Sequence, residues 1–118
     1  MRLVLAVLAL LLAGAGDPPD PVVHVVARRL TYAPDVIELQ LGVPVVIELT
    51  SADRDHGFSV PELGLRIDVE PGKTASVRVV PSKVGTFAFH CDVFCGSGHE
   101  EMAGRIVVSA PGGSAGAR

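Results

Sequence analysis

The sequence predicts a single all-β domain, an antiparallel sandwich or barrel of short strands. Runs rich in Val and Ile recur about every 8 to 12 residues and are separated by Pro, Gly and Asp, which is the spacing typical of such folds. At 118 residues the chain is long enough for one hydrophobic core and too short for two. Almost no segment is left in which a helix could form.

In most of the predicted strands alternate residues are apolar and face the core, while the residues between them face water. Six or more strands are expected, including those at 22–30, 35–42, 43–51, 74–80, 85–91 and 105–109. The side chains predicted to face the core are Ile37, Leu39, Leu41, Val45, Ile47, Leu49, Ala75, Val77, Val79, Phe87, Phe89, Ile106 and Val108. Pro, Gly and Asp mark the turns between the strands, for example at Pro34-Asp35, Gly42 and Pro61.

Both ends of the chain differ in composition from the strands. Residues 1–15 read as a secretory signal, because Arg2 precedes an uncharged apolar run that ends in small residues. The uncharged run is shorter than the roughly 20 residues that cross a bilayer, so no transmembrane segment is expected after signal removal. We therefore expect a periplasmic or otherwise extracytoplasmic protein, with a retained N-terminal tether as the alternative. The expected division is a signal peptide (1–15), a proline-rich linker (16–21), the folded domain (22–109) and a disordered tail (110–118).

The net charge restricts the possible partners. At −3 it gives no electrostatic support for binding nucleic acid, and it favours a basic protein partner instead. Export would place the only two cysteines in an oxidising compartment, where a disulfide is the default unless a metal binds them.

The segment 89–102 concentrates the residues that can bind a metal. It holds both cysteines, Cys91 and Cys95, together with His99 and Met102, on one loop between two predicted strands. His56, just past the strand 43–51, can add a second imidazole. One thiolate, two imidazoles and a distant Met form a blue-copper site. That set leaves Cys91 unused, so three interpretations stay open: a disulfide, a one-copper site, or two thiolates that bridge a pair of metal ions.

The loop also matches the pattern C-x-x-x-C-G-x-x-H-x-x-M and so resembles the dinuclear copper-A (CuA) domain of cytochrome c oxidase subunit II. Residues 56–73 are similar to the segment around that family's first copper histidine. The resemblance implies a cupredoxin-like Greek-key β-sandwich that binds two copper ions. It implies these ligands: Cys91 and Cys95 as bridges, His56 and Met102 on one copper, and His99 with the Val93 carbonyl on the other.

The function implied is one-electron transfer without substrate turnover, so the chain itself is not expected to be an enzyme. A redox protein such as a cytochrome c or a terminal oxidase or reductase would be its partner. Two departures from the family count against a standard oxidase complex. Val93 replaces the usual Glu, whose carboxylate helps bind magnesium at the catalytic subunit, and the chain has no Trp. The alternatives are a periplasmic copper carrier or storage protein and a mononuclear cupredoxin.

Other polar residues are expected to have ordinary roles. His24 and His90 are predicted not to bind metal, and Asp53 and its acidic neighbours are interpreted as turn or surface residues. Glu100 and Glu101 form either a solvated rim or part of a docking face for a basic electron donor.

Overall fold

The computed structural model describes residues 19–94 and 98–111, without the side chain of His99. The predicted signal peptide lies outside this part, as does most of the predicted tail. Within the described residues the chain forms nine strands and two short 3₁₀ turns, at Pro61–Leu63 and His99–Glu101. No helix among them is both long and apolar enough to cross a membrane. The strands are β1 (Val22–Arg28), β2 (Thr31–Ala33), β3 (Val36–Gln40), β4 (Val45–Ser51), β5 (His56–Val60), β6 (Leu65–Val69), β7 (Ala75–Val79), β8 (Gly85–His90) and β9 (Ala103–Ser109).

The strands form two sheets. One has the order β2-β1-β4-β7 and the other the order β3-β9-β8-β5-β6. The all-β expectation is confirmed, and most neighbouring strands are antiparallel as expected, but two pairs are not. The pairs β1/β4 and β3/β9 are parallel. Alternation shows which face of a strand is buried and not which strand lies beside it, so these two pairs could not be read from the sequence.

The core lies between the sheets and follows the predicted alternation. Every predicted core residue of β3, β4, β8 and β9 is buried. Leu41, Ala75 and Val77 are only partly buried, because Leu41 falls in the turn after β3 and the other two lie on β7, an edge strand. Strands β2, β5 and β6 were not predicted from the sequence, and β5 contains the first site residue, His56.

Three aromatic rings pack together beneath one end of the sandwich. Phe58 of β5 and Phe89 of β8 have ring centroids 4.7 Å apart, and Tyr32 of β2 lies 5.0 Å from Phe89 in an edge-to-face arrangement. Tyr32 also donates a hydrogen bond of 2.6 Å to the Gly57 carbonyl. The cluster therefore fixes the ends of β5 and β8, from which the predicted copper ligands emerge.

Candidate metal centre

His56 is the first residue of β5 and is almost fully buried, with 1% of its surface exposed. The prediction that it is a loop histidine just past a strand is wrong. A loop histidine would move freely, whereas a histidine in a paired strand has its backbone fixed by the ladder with Val69 of β6. The fold thus holds this imidazole in one position.

Asp53 holds the His56 ring from one side. His56 Nε2 lies 2.7 Å from Asp53 Oδ1, and the same carboxylate accepts hydrogen bonds of 2.7 Å from the backbone N–H groups of Arg29 and Arg54. Burial raises the pKa of Asp53, but the hydrogen bonds from Arg29, His56 and Arg54 outweigh it and lower that pKa to about 2. The carboxylate is therefore ionised at neutral pH and accepts the Nε2 proton.

The other ring nitrogen of His56 has no such contact. Its Nδ1 is buried and has no hydrogen-bond partner within the described residues. A buried nitrogen left unpaired costs about 1–3 kcal/mol. With the proton on Nε2, Nδ1 presents its lone pair, and a histidine oriented through one nitrogen by a carboxylate is a common form of metal ligand. A metal ion bound to Nδ1 would satisfy this nitrogen, which no described protein group does.

Cys91 follows β8 directly and lies beside β5. Its side chain is buried, and its sulfur accepts a hydrogen bond of 3.4 Å from the N–H of Gly57, the neighbour of His56. Its thiol donates to the Val93 carbonyl at 3.1 Å, and its N–H donates to the Met102 carbonyl, also at 3.1 Å. Cys91 thus contacts two other predicted ligand positions and the residue beside a third.

Four of the six predicted ligand residues are therefore brought to one end of the sandwich. His56 and Val93 line one cavity, Cys91 contacts Val93, and the fully buried Met102 lies immediately before β9. Cys95 lies outside the described residues, and so does the side chain of His99, whose backbone is in the second 3₁₀ turn.

No three side chains of His, Cys, Asp or Glu within residues 19–94 and 98–111 converge to hold a metal ion by themselves. Of the predicted ligands, only His56 and Cys91 are of those types and have described side chains. The described donors are an imidazole nitrogen, a thiol, a carbonyl and a thioether, and this set suits copper.

Two interactions near the site were not predicted. One is the Asp53 contact, which the spacing Asp-x-x-His next to a predicted ligand could have suggested. The other is an ion pair from β6 to the loop, in which Arg66 Nε lies 2.8 Å from Asp92 Oδ2 and Arg66 Nη2 lies 2.8 Å from Oδ1. Arg66 also bonds Asp68. The Arg66 guanidinium lowers the pKa of Asp92, against a smaller opposing effect of burial.

The histidines predicted not to bind metal lie as follows. His24 is exposed on β1, with Nδ1 3.3 Å from Glu48 Oε1. His90 ends β8 and is partly buried, while its neighbour Phe89 points into the core. Glu100 and Glu101 are exposed on the second 3₁₀ turn.

Comparison with known proteins identifies the fold family. Residues 1–108 match the model of the cupredoxin-like domain family. The chain belongs to this family.

Its relatives among characterised proteins include cytochrome c oxidase subunit 2 of Thermus thermophilus, to which the cupredoxin-like chain is 36% identical over 91 residues. The match covers 77% of the chain and 67% of that subunit. A second Thermus thermophilus subunit 2 matches at the same identity over 54% of its length, so the chain spans about half to two thirds of these relatives.

Two solved structures superpose on the chain. A subunit of a heme-copper terminal oxidase dimer superposes with a TM-score of 0.68 at 28% identity, covering 75% of the chain and 65% of its counterpart. The periplasmic domain of subunit II of cytochrome oxidase from Bradyrhizobium japonicum gives a TM-score of 0.71 at 19% identity, covering 81% and 88%, and shows the shared fold. The predicted cupredoxin-like sandwich and the predicted relationship to subunit II are confirmed.

Proposed function

We propose that the chain is an exported copper-binding electron-transfer protein with a dinuclear CuA centre. The observation that carries the proposal is the state of His56: a buried imidazole, oriented by Asp53 through Nε2, with Nδ1 unpaired among the described residues. It lies beside Gly57, whose N–H contacts the Cys91 sulfur. The ligands would be His56, Cys91, Val93 through its carbonyl, Cys95, His99 and Met102.

When bound, a pair of copper ions held by these residues would supply one-electron exchange with a partner. The fold holds the chain's own residues in place at this site. The paired strand β5 fixes His56, the Gly57 N–H and the Val93 carbonyl contact the Cys91 side chain, and Met102 is buried against the core. Ligands that are already rigid need to move little when an electron arrives, which favours fast transfer.

An extracytoplasmic location and a redox partner are supported by the relatives. One structural neighbour is the periplasmic domain of an oxidase subunit, and another is part of a terminal oxidase dimer. Residues 91–102, which carry most of the predicted ligands, are called the ligand loop below. Phe94 on this loop is 73% exposed and gives an apolar contact point next to the site. Asp55, Asp68 and Glu70 line the cavity shared by His56 and Val93, so a basic partner would meet complementary charge there.

The proposal is tested by loading the purified protein, without residues 1–15, with copper. Two coppers per chain are expected, with a paramagnetic spectrum in which one electron is shared by two copper nuclei. His56→Ala should lose copper and that signal. His24→Ala is the matched control, because His24 is an exposed histidine on the other sheet and should leave both unchanged.

Other results would favour the alternatives. One copper per chain with a four-line spectrum would indicate a mononuclear cupredoxin. Copper that leaves rapidly from the reduced protein, although it is held by the oxidised protein, would indicate a copper carrier, since an electron-transfer site retains its metal in both states. In Cys91→Ser the remaining ligands form the one-copper set, so this variant should bind one copper and lose the shared-electron signal.

A further inference from the structure

We propose that the Arg66–Asp92 ion pair is a latch that holds the first turn of the ligand loop against β5 before copper binds, and so positions Cys91 and Val93. The second test below uses copper and therefore rests on the proposed function, whereas the first test needs no metal. Both residues are positioning residues, because neither is a predicted ligand.

The geometry of the pair suits a latch. Arg66 makes two parallel hydrogen bonds of 2.8 Å to the two oxygens of Asp92, across 26 residues of chain. Such a fork fixes the orientation of a carboxylate as well as its distance. Arg66 is itself held by Asp68 on the same strand, so the anchor on β6 does not swing freely.

Asp92 is the residue between Cys91 and Val93, so fixing its side chain fixes the turn that carries both. The carboxylate lies over Gly57, where an added Cβ would overlap Asp92 Oδ1 and come within 3.2 Å of Val93 Cγ2. The turn therefore packs directly on β5. In this closed arrangement the Cys91 sulfur accepts a hydrogen bond from the Gly57 N–H, and the Cys91 thiol donates one to the Val93 carbonyl. Without the latch, nothing else in the described residues ties the Asp92 side chain to β6.

The latch is charge-neutral, and this matters beside a metal centre. The Arg66 guanidinium balances the carboxylate that the loop places next to Cys91, a proposed copper ligand. Replacing Arg66 by Met would leave that negative charge uncompensated as well as open the turn. Replacing it by Lys keeps the charge but loses the fork.

The first experiment uses metal-free protein in a Cys95→Ser background, where Cys91 is the only thiol. The rate of Cys91 alkylation by an excess of iodoacetamide reports how often the turn opens, because Cys91 is only 3% exposed while the turn is closed. Arg66→Met should raise this rate by up to about fivefold, the effect of losing one exposed ion pair, and Arg66→Lys by less. Arg78→Met is the matched control: Arg78 pairs with Asp20 at 2.7 Å on the other sheet, with similar exposure, and should not change the rate.

The second experiment measures copper loss to a chelator from the copper-loaded chain with both cysteines. Arg66→Met and Asp92→Asn should each speed the loss about tenfold, as for other residues that orient metal ligands. The double variant should be no worse than either single one, because both remove the same contact. Denaturant midpoints of all the metal-free variants separate a local opening from a general loss of stability.

The possible results distinguish failure of the latch from failure of the proposed function. An alkylation rate unchanged in Arg66→Met, or raised equally in Arg78→Met, would overturn the latch, and so would unchanged copper loss from a wild type that holds two coppers. A wild type that never holds two coppers would overturn the proposed function instead, and the alkylation result would still decide whether the latch exists.

Discussion

Gly57→Ala should disrupt the site although the backbone there can accept alanine. Gly57 is not among the glycines with positive φ, so the cost is steric. An added Cβ would overlap Asp92 Oδ1 and lie 3.1 Å from Arg66 Nη2 and 3.2 Å from Val93 Cγ2. The Asp92 carboxylate must therefore leave its place, and the turn must lift off β5.

The size of the effect follows from two contributions. Overpacking a tight contact costs about 1–3 kcal/mol. The loss in the free energy of unfolding of the metal-free protein should lie in the lower part of that range. The Asp92 side chain is 29% exposed and can move aside at the cost of an ion pair worth at most about 1 kcal/mol. Copper binding should suffer more than stability, since lifting the turn displaces Cys91 and Val93 together.

The assay is denaturant unfolding of the metal-free protein, combined with copper stoichiometry of the loaded protein. Gly57→Ala in an Asp92→Ala background is the decisive variant, because removing the carboxylate clears the space that the new methyl group needs. The two changes should then cost less together than the sum of their separate effects. Strict additivity would refute the argument that Gly57 is required because Asp92 packs on it.

Three further predictions concern the same end of the sandwich. Asp53→Asn should weaken copper binding about tenfold in a chelator competition, because an amide can donate to Nε2 as well as accept from it and so no longer confines the His56 proton to Nε2. Glu48→Gln, which alters the exposed pair with His24, should leave the affinity unchanged. An Asp53→Asn variant with the affinity of the wild type would contradict the role given to Asp53. Metal-free protein should lose stability between about pH 4 and pH 2, since Asp53 has its pKa lowered from 3.8 to about 2 in the folded state and the unfolded chain then binds the proton more readily. The free energy of unfolding should fall by about 1 kcal/mol, because a partly exposed carboxylate is screened by water. Asp53→Asn should remove most of this dependence of stability on pH. Val93→Ala and Val93→Glu should still load two coppers with similar absorption bands, because the predicted donor is the backbone carbonyl; loss of one copper in a folded Ala variant would show that the side chain matters.

The strands that the sequence predicted are those with one buried and one solvated face. In β3 and β4 the residues predicted to face the core, Ile37, Leu39, Val45 and Ile47, are buried and alternate with more exposed neighbours. The partners of these strands were not predictable, because β3 pairs with β9 at the far end of the chain. A single sequence records the environment of each residue and not the contacts between distant segments.

The same limit explains which residues of the candidate site could be predicted from the sequence. The identities and spacing of Cys91, Cys95, His99 and Met102 are local and could be read directly. Arg66 and Asp92 lie 26 residues apart and each looks like an ordinary surface charge. Only the sheet, which places β6 beside β5 at the ligand loop, brings them together.

Strand β5 was missed for a reason that itself concerns the site. All five of its residues, His56–Val60, are buried, so it lacks the alternation of a half-exposed strand. His56, Phe58 and Val60 share one face, and Gly57 and Ser59 share the other. Small residues occupy that second face, and at Gly57 the Asp92 carboxylate and the Arg66 guanidinium cover it. The short stretch without alternation therefore marks where the ligand loop crosses the sheet. A larger side chain at Gly57 would restore the pattern of an ordinary strand and exclude the loop that the proposed copper site requires.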